Sequence, residues 1–334
     1  MFPSGLAAAF LVAFGNFNWR QTQKIKIQSN TMINIERALK DSRLMLAATG
    51  VTPREFKNLI PAFSQAWLEE KRKQHRKEAK ERKPGGGRIG FLKTMESKLF
   101  FILFYYKCYP TYDVLSFVYA CNRSNACRRQ FQLSHIIEKA LGKKLTLPER
   151  RMKKIEDFFK AFPEAREVFI DGTERPIQRP KDKERQKANY SGKKKKHTRK
   201  NLVITEKNKR VGFLSKTVEG KKHDFTLLKE EAPPENMPPK IKKHMDLGFK
   251  GMRQQFPEHV ISMPKRKPRT KDLTEFSKEQ NKKKSSARVL VENALAGVKR
   301  LRITTDTFRN RKENFDDQIM LISCGLWNYH LAMK

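Results

Sequence analysis

Glu167-Val-Phe-Ile-Asp171-Gly-Thr-Glu174 marks the point where a helical chain gives way to strands. Its apolar run is short, partly β-branched, and stops at an aspartate with glycine directly behind it. Such a run, bounded by turn residues, reads as a buried strand, and Gly172 frees the backbone to turn after it. Working outward, residues 201–205 and 211–218 read as strands joined by the polar turn Lys207-Asn208-Lys209. Residues 223–231 read as a helix, 241–246 and 259–263 as strands, and 288–300 and 318–333 as helices. Strands with interleaved helices predict an α/β domain. Open α/β sheets bind ligands at the carboxyl ends of their strands, which is where Asp171 falls. A strand-ending aspartate is by itself more often a simple turn residue.

Upstream of residue 167 the texture is helical. Thr52-Pro53-Arg54-Glu55 is a capping box with proline at the first helical position, and it predicts a helix running past Trp67. That helix turns polar from Glu69 to Lys83 and stops at Pro84-Gly85-Gly86-Gly87, a hinge. Residues 95–109, 112–120 and about 126–141 then predict helix, short helix, cap-rich turn and longer helix, closed by Gly142. This is the order of a helix-turn-helix DNA reader, although a plain three-helix bundle shows it too. The third helix should bury Phe131, Ile136, Ile137 and Ala140, and offer Arg123, Asn125, Arg128, Arg129 and Gln132 to phosphates and base edges. A second capping box, Thr146-Leu147-Pro148-Glu149, predicts one more helix.

The charge is lopsided. Lys and Arg number 73 against 35 Asp and Glu, a formal net charge of +38. A compact chain with that excess repels itself unless a polyanion neutralises it, and nucleic acid is the commonest one. No basic amphipathic helix or lipidation signal points to a membrane, and the apolar residues 6–14 are too few to span a bilayer. Cys108, Cys121, Cys127 and Cys324 show no zinc spacing, which fits reduced cysteines in a cytoplasmic protein. Residues 1–31 follow no pattern, and the organised sequence is expected to begin near Met32.

Two further carboxylates join Asp171. Asp246, in Met245-Asp-Leu-Gly-Phe-Lys-Gly251, again ends a predicted strand just before glycine. Glu292 sits on a predicted helix with Arg288 four residues before it and Lys299 seven after, so the three share one face. Val289, Val291, Leu295 and Val298 are left to pack elsewhere. Three carboxylates in so basic a chain suit hard, oxygen-seeking Mg²⁺ or Mn²⁺. Asp224, in His223-Asp224-Phe225, is the rival second carboxylate, although its place before a helix reads more readily as an N-cap. Glu174, three residues from Asp171, is within reach of the site but reads more readily as solvated, and His197 and His223 lack metal-ligand spacing. Residues 175–200 hold twelve Lys or Arg, among them Lys193, Lys194, Lys195 and Lys196, against Asp182 and Glu184. Placed directly after Asp171, this tract reads as a surface gripping the DNA backbone, and Tyr190 within it as a base-stacking candidate.

Several of these segments together resemble the DDE transposases of the IS-five group, whose domain is shared with Harbinger-type elements. They are residues 171–180, Tyr190-Ser-Gly-Lys-Lys-Lys-Lys-His197, Gly220-Lys-Lys-His-Asp224, residues 246–251 and the Arg288–Glu292–Lys299 spacing. The resemblance covers about residues 33–334. Ser285 stands where that group's signature has tyrosine. The resemblance implies an RNase H-like catalytic domain, a mixed sheet with flanking helices, preceded by an all-helical helix-turn-helix domain. It further implies Asp171, Asp246 and Glu292 as ligands of Mg²⁺ or Mn²⁺, two ions in number, with no large domain inserted between the last two. Arg288 and Lys299 would bind phosphates at the element's ends.

The expected organisation is therefore an extension over 1–31, a helical segment over 32–84, the helix-turn-helix over 85–150 and the catalytic domain over 151–334. The expected partner is double-stranded DNA, bound by a homo-oligomer without membrane contact, in a prokaryotic cytoplasm beside the nucleoid. Two other readings fit the same residues: an RNase H-like nuclease without strand transfer, and a domesticated, non-catalytic DNA-binding protein.

Overall fold

The computed structural model describes residues 33–77, 90–268, 270 and 272–334. The extension at 1–31, the glycine hinge and the polar helix beyond residue 77 lie outside the described residues. Helices alone precede the sheet: α1 (Ile35–Lys40), α2 (Ser42–Thr49), α3 (Pro53–Lys77), α4 (Met95–Cys108), α5 (Tyr112–Val118), α6 (Arg123–Lys143) and α7 (Ile155–Ala161). The first capping box forms as read. Thr52 N–H donates to Glu55 Oε2 at 2.8 Å, and Glu55 N–H donates to Thr52 Oγ1 at 3.2 Å. α4 is apolar around most of its circumference and is buried accordingly, with Phe101 edge-on to Tyr119 at 4.8 Å.

The rest of the chain is α/β: β1 (Glu167–Pro176), α8 (Lys183–Asn189), β2 (Tyr190–Ser191), β3 (Lys196–Thr205), β4 (Val211–Leu214), β5 (Val218–Glu219), α9 (Asp224–Glu231), β6 (Lys242–His244), α10 (Met252–Gln255), β7 (Ile261–Ser262), α11 (Glu275–Lys299) and α12 (Phe315–Ala332). The strand order is β2-β3-β1-β6-β7, with β4 and β5 both pairing with β3. β1 runs antiparallel to β3 and parallel to β6, and β6 runs parallel to β7, so the sheet is mixed. Alternation along β1 sends Val168 and Ile170 into a core with Phe158 of α7 and Leu228 of α9. Phe169 faces the other way, into a core with Val291, Leu295 and Val298 of α11 and Met320 and Trp327 of α12. Both faces of the sheet are thus covered, which is what allows its parallel part. All four cysteines are free, and no described helix is long and apolar enough to cross a membrane.

Several boundaries differ from the sequence reading. The second capping box does not form. Glu149 instead bridges Phe213 in parallel, exchanging backbone hydrogen bonds with Gly212 and Leu214, and the next helix opens six residues later, where Asp157 caps Lys153 and Lys154. A backbone pairing available only in the folded sheet overrides the local signal. α6 opens at Arg123 rather than near Ala126 and runs through Gly142, with Phe131 only half-buried against Phe315. The strand read over 211–218 splits into β4 and β5, and the helix read from Arg288 begins at Glu275.

Candidate active site

Asp171 and Asp246 reach the same place by register. Phe169 of β1 lies opposite His244 of β6 in the parallel pair, and each aspartate follows its partner residue by two positions. Adjacent strands are about 4.8 Å apart, so the two carboxylates stand side by side. The strand does not end at Asp171 as read: pairing with β3 carries β1 on through Gly172 to Pro176, so Asp171 lies within the strand and only Asp246 lies past a strand end. Asp171 Oδ1 accepts the Gly172 N–H at 2.8 Å, and Asp246 Oδ1 accepts the Gly248 N–H at 2.7 Å. Burial, and next the charge of Asp246, push the Asp171 carboxyl up to about 6, against the pull of Arg288 and of the Gly172 N–H.

Asp224 stands with them. It is not an N-cap: His223 caps α9 and Asp224 is its first residue. A Cβ at Gly172 would lie 2.7 Å from Asp224 Oδ1, and one at Gly248 would lie 2.7 Å from Asp224 Oδ2 and 2.8 Å from Asp246 Oδ1. Both glycines are there because the carboxylates occupy the space of a side chain. Lys200 Nζ lies 2.9 Å from Asp224 Oδ1 and 3.5 Å from Glu174, and donates to the Lys222 carbonyl at 2.7 Å. Its approach to Oδ1 lacks hydrogen-bond alignment, which leaves that buried oxygen without a hydrogen-bond donor. Glu174, read as solvated, is instead nearly buried and accepts from Thr198 at 2.9 Å.

α11 carries the third predicted carboxylate past this cluster. Val291, Leu295 and Val298 hold the helix on the sheet, while Val289, expected to pack, is 46% exposed. Arg288 and Glu292 pair at 3.5 Å one turn apart, and the Glu292 side chain is 57% exposed. Arg288 therefore acts on Asp171 and Glu292 at once. Among the described residues, no three His, Cys, Asp or Glu side chains stand close enough to hold a metal ion unaided, so neither Asp224 nor Glu292 is gathered with Asp171 and Asp246 into one such group. Burial holds the Lys299 ammonium below its usual range, although the nearby Asp171 pulls it upward. Lys194 also acts on Lys299, which brings the basic tract beside the carboxylates. Lys193, Lys194, Lys195 and Lys196 are exposed, and Tyr190 stands 5.6 Å edge-on from His197.

Other members of that tract are turned inward. Arg175 is buried and donates to the Asp316 carbonyl at 2.7 Å, and Arg199 Nε meets Asp316 Oδ2 at 3.0 Å. These two tie β1 and β3 to the start of α12, and Lys200 alone of the three reaches the site, whereas the sequence reads all three as DNA-facing. Strand alternation was the available signal: Arg175 shares a face with Asp171 and Thr173, and Thr173 is buried. On α6, Arg128 Nη2 donates to Asn125 Oδ1 at 2.9 Å and Arg129 Nη1 donates to Gln132 Oε1 at 2.6 Å, whereas Arg123 meets Asp113 at 3.4 Å with both side chains exposed.

A family model described as DDE superfamily endonuclease matches residues 170–328. A second, described as helix-turn-helix of DDE superfamily endonuclease, matches residues 91–143. The chain is 30% identical over 242 residues, 72% of its own length and 82% of the relative's, to a protein of Microchaete diplosiphon named "Probable transposase for insertion sequence element IS702". No solved structure matches.

Proposed function

The chain belongs to the DDE superfamily endonucleases, a family that includes an insertion-sequence transposase, and from that membership we propose that it cuts at the ends of an insertion sequence of the IS-five group and joins them to target DNA. The observation that carries this reading is the register of β1 and β6, which sets Asp171, within β1 just past its parallel pairing, beside Asp246, just past the end of β6. The sheet suits an RNase H-like catalytic domain: three antiparallel strands, β4, β3 and β1, continue into the parallel β6 and β7. We assign that domain to residues 151–334, the helix-turn-helix to 85–150, and a helical segment to 32–84.

The donor chemistry fits hard divalent cations. It is all oxygen, and Asp224 Oδ1 already has a cation, the Lys200 ammonium at 2.9 Å, without an aligned hydrogen bond to it. Asp171 and Asp246 would hold Mg²⁺ or Mn²⁺, with Glu292 brought in from α11 once Arg288 turns from it to a DNA phosphate; Asp224 is the alternative ligand. A pair of such ions would supply activation of water and then of a 3′-hydroxyl for in-line attack on a phosphodiester. The protein's own part is positioning. Arg288 and Lys299, spaced along α11, grip phosphates on either side of the carboxylates, as a bidentate fork and a point charge. The exposed lysines 193–196 hold the backbone beyond, and α6 reads the end sequence through Arg128 and Arg129, with Arg123 on a flanking phosphate. We place the work on double-stranded DNA in the cytoplasm, as a homo-oligomer spanning both ends.

Glu292→Gln tests the assignment, because it keeps size and polarity and removes only the charge. Cleavage of a duplex carrying the DNA that flanks the coding gene, in Mg²⁺ or Mn²⁺, should fall by several orders of magnitude, while binding at the same salt changes less than about twofold. Wild-type cleavage that survives EDTA, or a Glu292→Gln protein that cuts normally, would overturn the mechanism.

A further inference from the structure

α3 and α4 meet beside the first turns of α6, and α3 lies outside the segment that matches the helix-turn-helix family model. α3 runs antiparallel to α6: Glu69 pairs with Lys143 at 2.8 Å, Glu70 with Lys139 at 2.5 Å, and Glu70 with His135 at 3.7 Å. Each step toward the carboxyl end of α3 is a step toward the amino end of α6. One turn beyond Glu70, Gln74 enters a groove of about 490 Å³ that it lines together with Asn125, Arg128, Arg129 and Gln132 of α6. The two arginines there are held by amide oxygens, and the one carboxylate lining the groove, Glu70, is paired with Lys139 and faces His135, so the cations outnumber it.

Next to this groove cations crowd together. Lys71 of α3 and Lys98 of α4 both sit on the buried Trp67 ring, 5.2 and 5.3 Å from its centroid. Burial, and next the charge of Arg129, hold the Lys98 ammonium below its usual range, with Glu96 opposing and Lys71 adding to the effect. Like charges brought this close repel one another, and an anion seated among them relieves the repulsion.

We propose that α3 is part of the DNA-reading surface: Lys71, Lys98 and Arg129 form a clamp for one backbone phosphate, and Gln74 reaches a base edge beside Arg128. The inference rests on α6 being a DNA reader, and it names the contacts that reader makes. The clamp residues come from three helices, and two of them, Lys71 and Lys98, sit on one indole, so the phosphate sits at a fixed offset from the α6 side chains. That is how a sequence-independent contact sets the register of the base-reading ones.

The full-length chain is titrated with two duplexes, one of the DNA flanking the coding gene and one scrambled, over a range of salt. Lys71→Gln should weaken both duplexes equally, about threefold to tenfold, and make log K against log salt shallower by about 0.9, the loss of one phosphate contact. Lys71→Arg keeps the charge over Trp67 and should restore both the affinity and the slope, which separates a phosphate contact from a folding defect. Gln74→Ala should leave the scrambled duplex unchanged and cut the preference for the flanking duplex about fivefold or more. Lys57→Gln, on an exposed position of the first turns of α3, should change nothing. If Lys71→Gln and Gln74→Ala bind like wild type while Arg128→Ala loses affinity, α3 is outside the interface and the proposal falls, though α6 remains a reader. If Arg128→Ala and Arg129→Ala are also silent, the reading of α6 falls with it.

Discussion

Asp171 carries a stability cost that follows from its position. Burial and the neighbouring Asp246 raise its carboxyl from 3.8 to about 6, so the folded state holds this proton more tightly than the unfolded chain does. An acid with a raised folded value loses stability as pH rises through the window between the two values, here about 4 to 6, and the loss is complete above it. At neutral pH without divalent cations, ionised Asp171 therefore opposes folding by up to about 3 kcal/mol. Asp171→Asn should raise the thermal midpoint in EDTA at pH 7.5, and the gain should shrink as pH falls through 6 and vanish near 4, while cleavage is abolished. A variant that is destabilised at pH 7.5, or whose gain does not depend on pH, would contradict this account. Divalent cations should narrow the difference by stabilising the wild type alone.

At the scale of elements, α11 links the site to the core, and one residue sets its distance. A Cβ at Gly297 would come within 2.3 Å of the Trp327 ring, which is itself pinned by a hydrogen bond from Nε1 to the Lys209 carbonyl at 2.9 Å. Backbone and indole thus touch where α11 crosses α12, and neither can retreat without moving the helix. Gly297→Ala should destabilise the fold by roughly 1–3 kcal/mol, since overpacking outweighs the better helix propensity of alanine. It should also lower cleavage in the fraction that remains folded, because Glu292 and Lys299 sit within two turns of the contact. Chemical denaturation beside single-turnover cleavage separates the two effects, and a variant as stable as wild type would remove α11–α12 contact as the constraint.

At the scale of the molecule, the helical part and the sheet share their packing. One apolar core runs from Ala38 through α3, α4 and α6 to Leu301, Phe308, Ile319, Leu326 and Tyr329, while Met320, Cys324 and Trp327 on α12 enter the core of the sheet. Polar contacts reinforce the junction. Tyr329 OH donates to the Glu55 carbonyl at 2.9 Å, His330 meets Glu55 Oε1 at 2.5 Å, and Arg309 donates to the Tyr109 carbonyl at 2.6 Å with its guanidinium over the same ring. The described residues should accordingly unfold in one calorimetric transition, and a chain ending before α12 should fold neither part. Two transitions separated by more than a few degrees would show that the parts are independent.

What the sequence determined by itself is what depends on near neighbours. The Thr52–Glu55 box, the turn after Asp246, and the shared face of Arg288, Glu292 and Lys299 are settled within a few residues, by capping, by glycine and by helical periodicity, whereas β1 runs on through Gly172 to Pro176 because pairing with β3 overrides the turn read after Asp171. The order of helices around α5 and α6 was legible for the same reason. Tertiary structure alone decided the rest. It placed Asp224 against Gly172 and Gly248, turned Lys200, Arg175 and Arg199 inward, made an extended bridge of the Glu149 segment, and gave α12 to two cores. Each of these joins residues tens to hundreds of positions apart. Local patterning cannot choose among the many chain segments of matching polarity that could supply the partner, and sheet register, which fixes which strand ends meet, makes that choice.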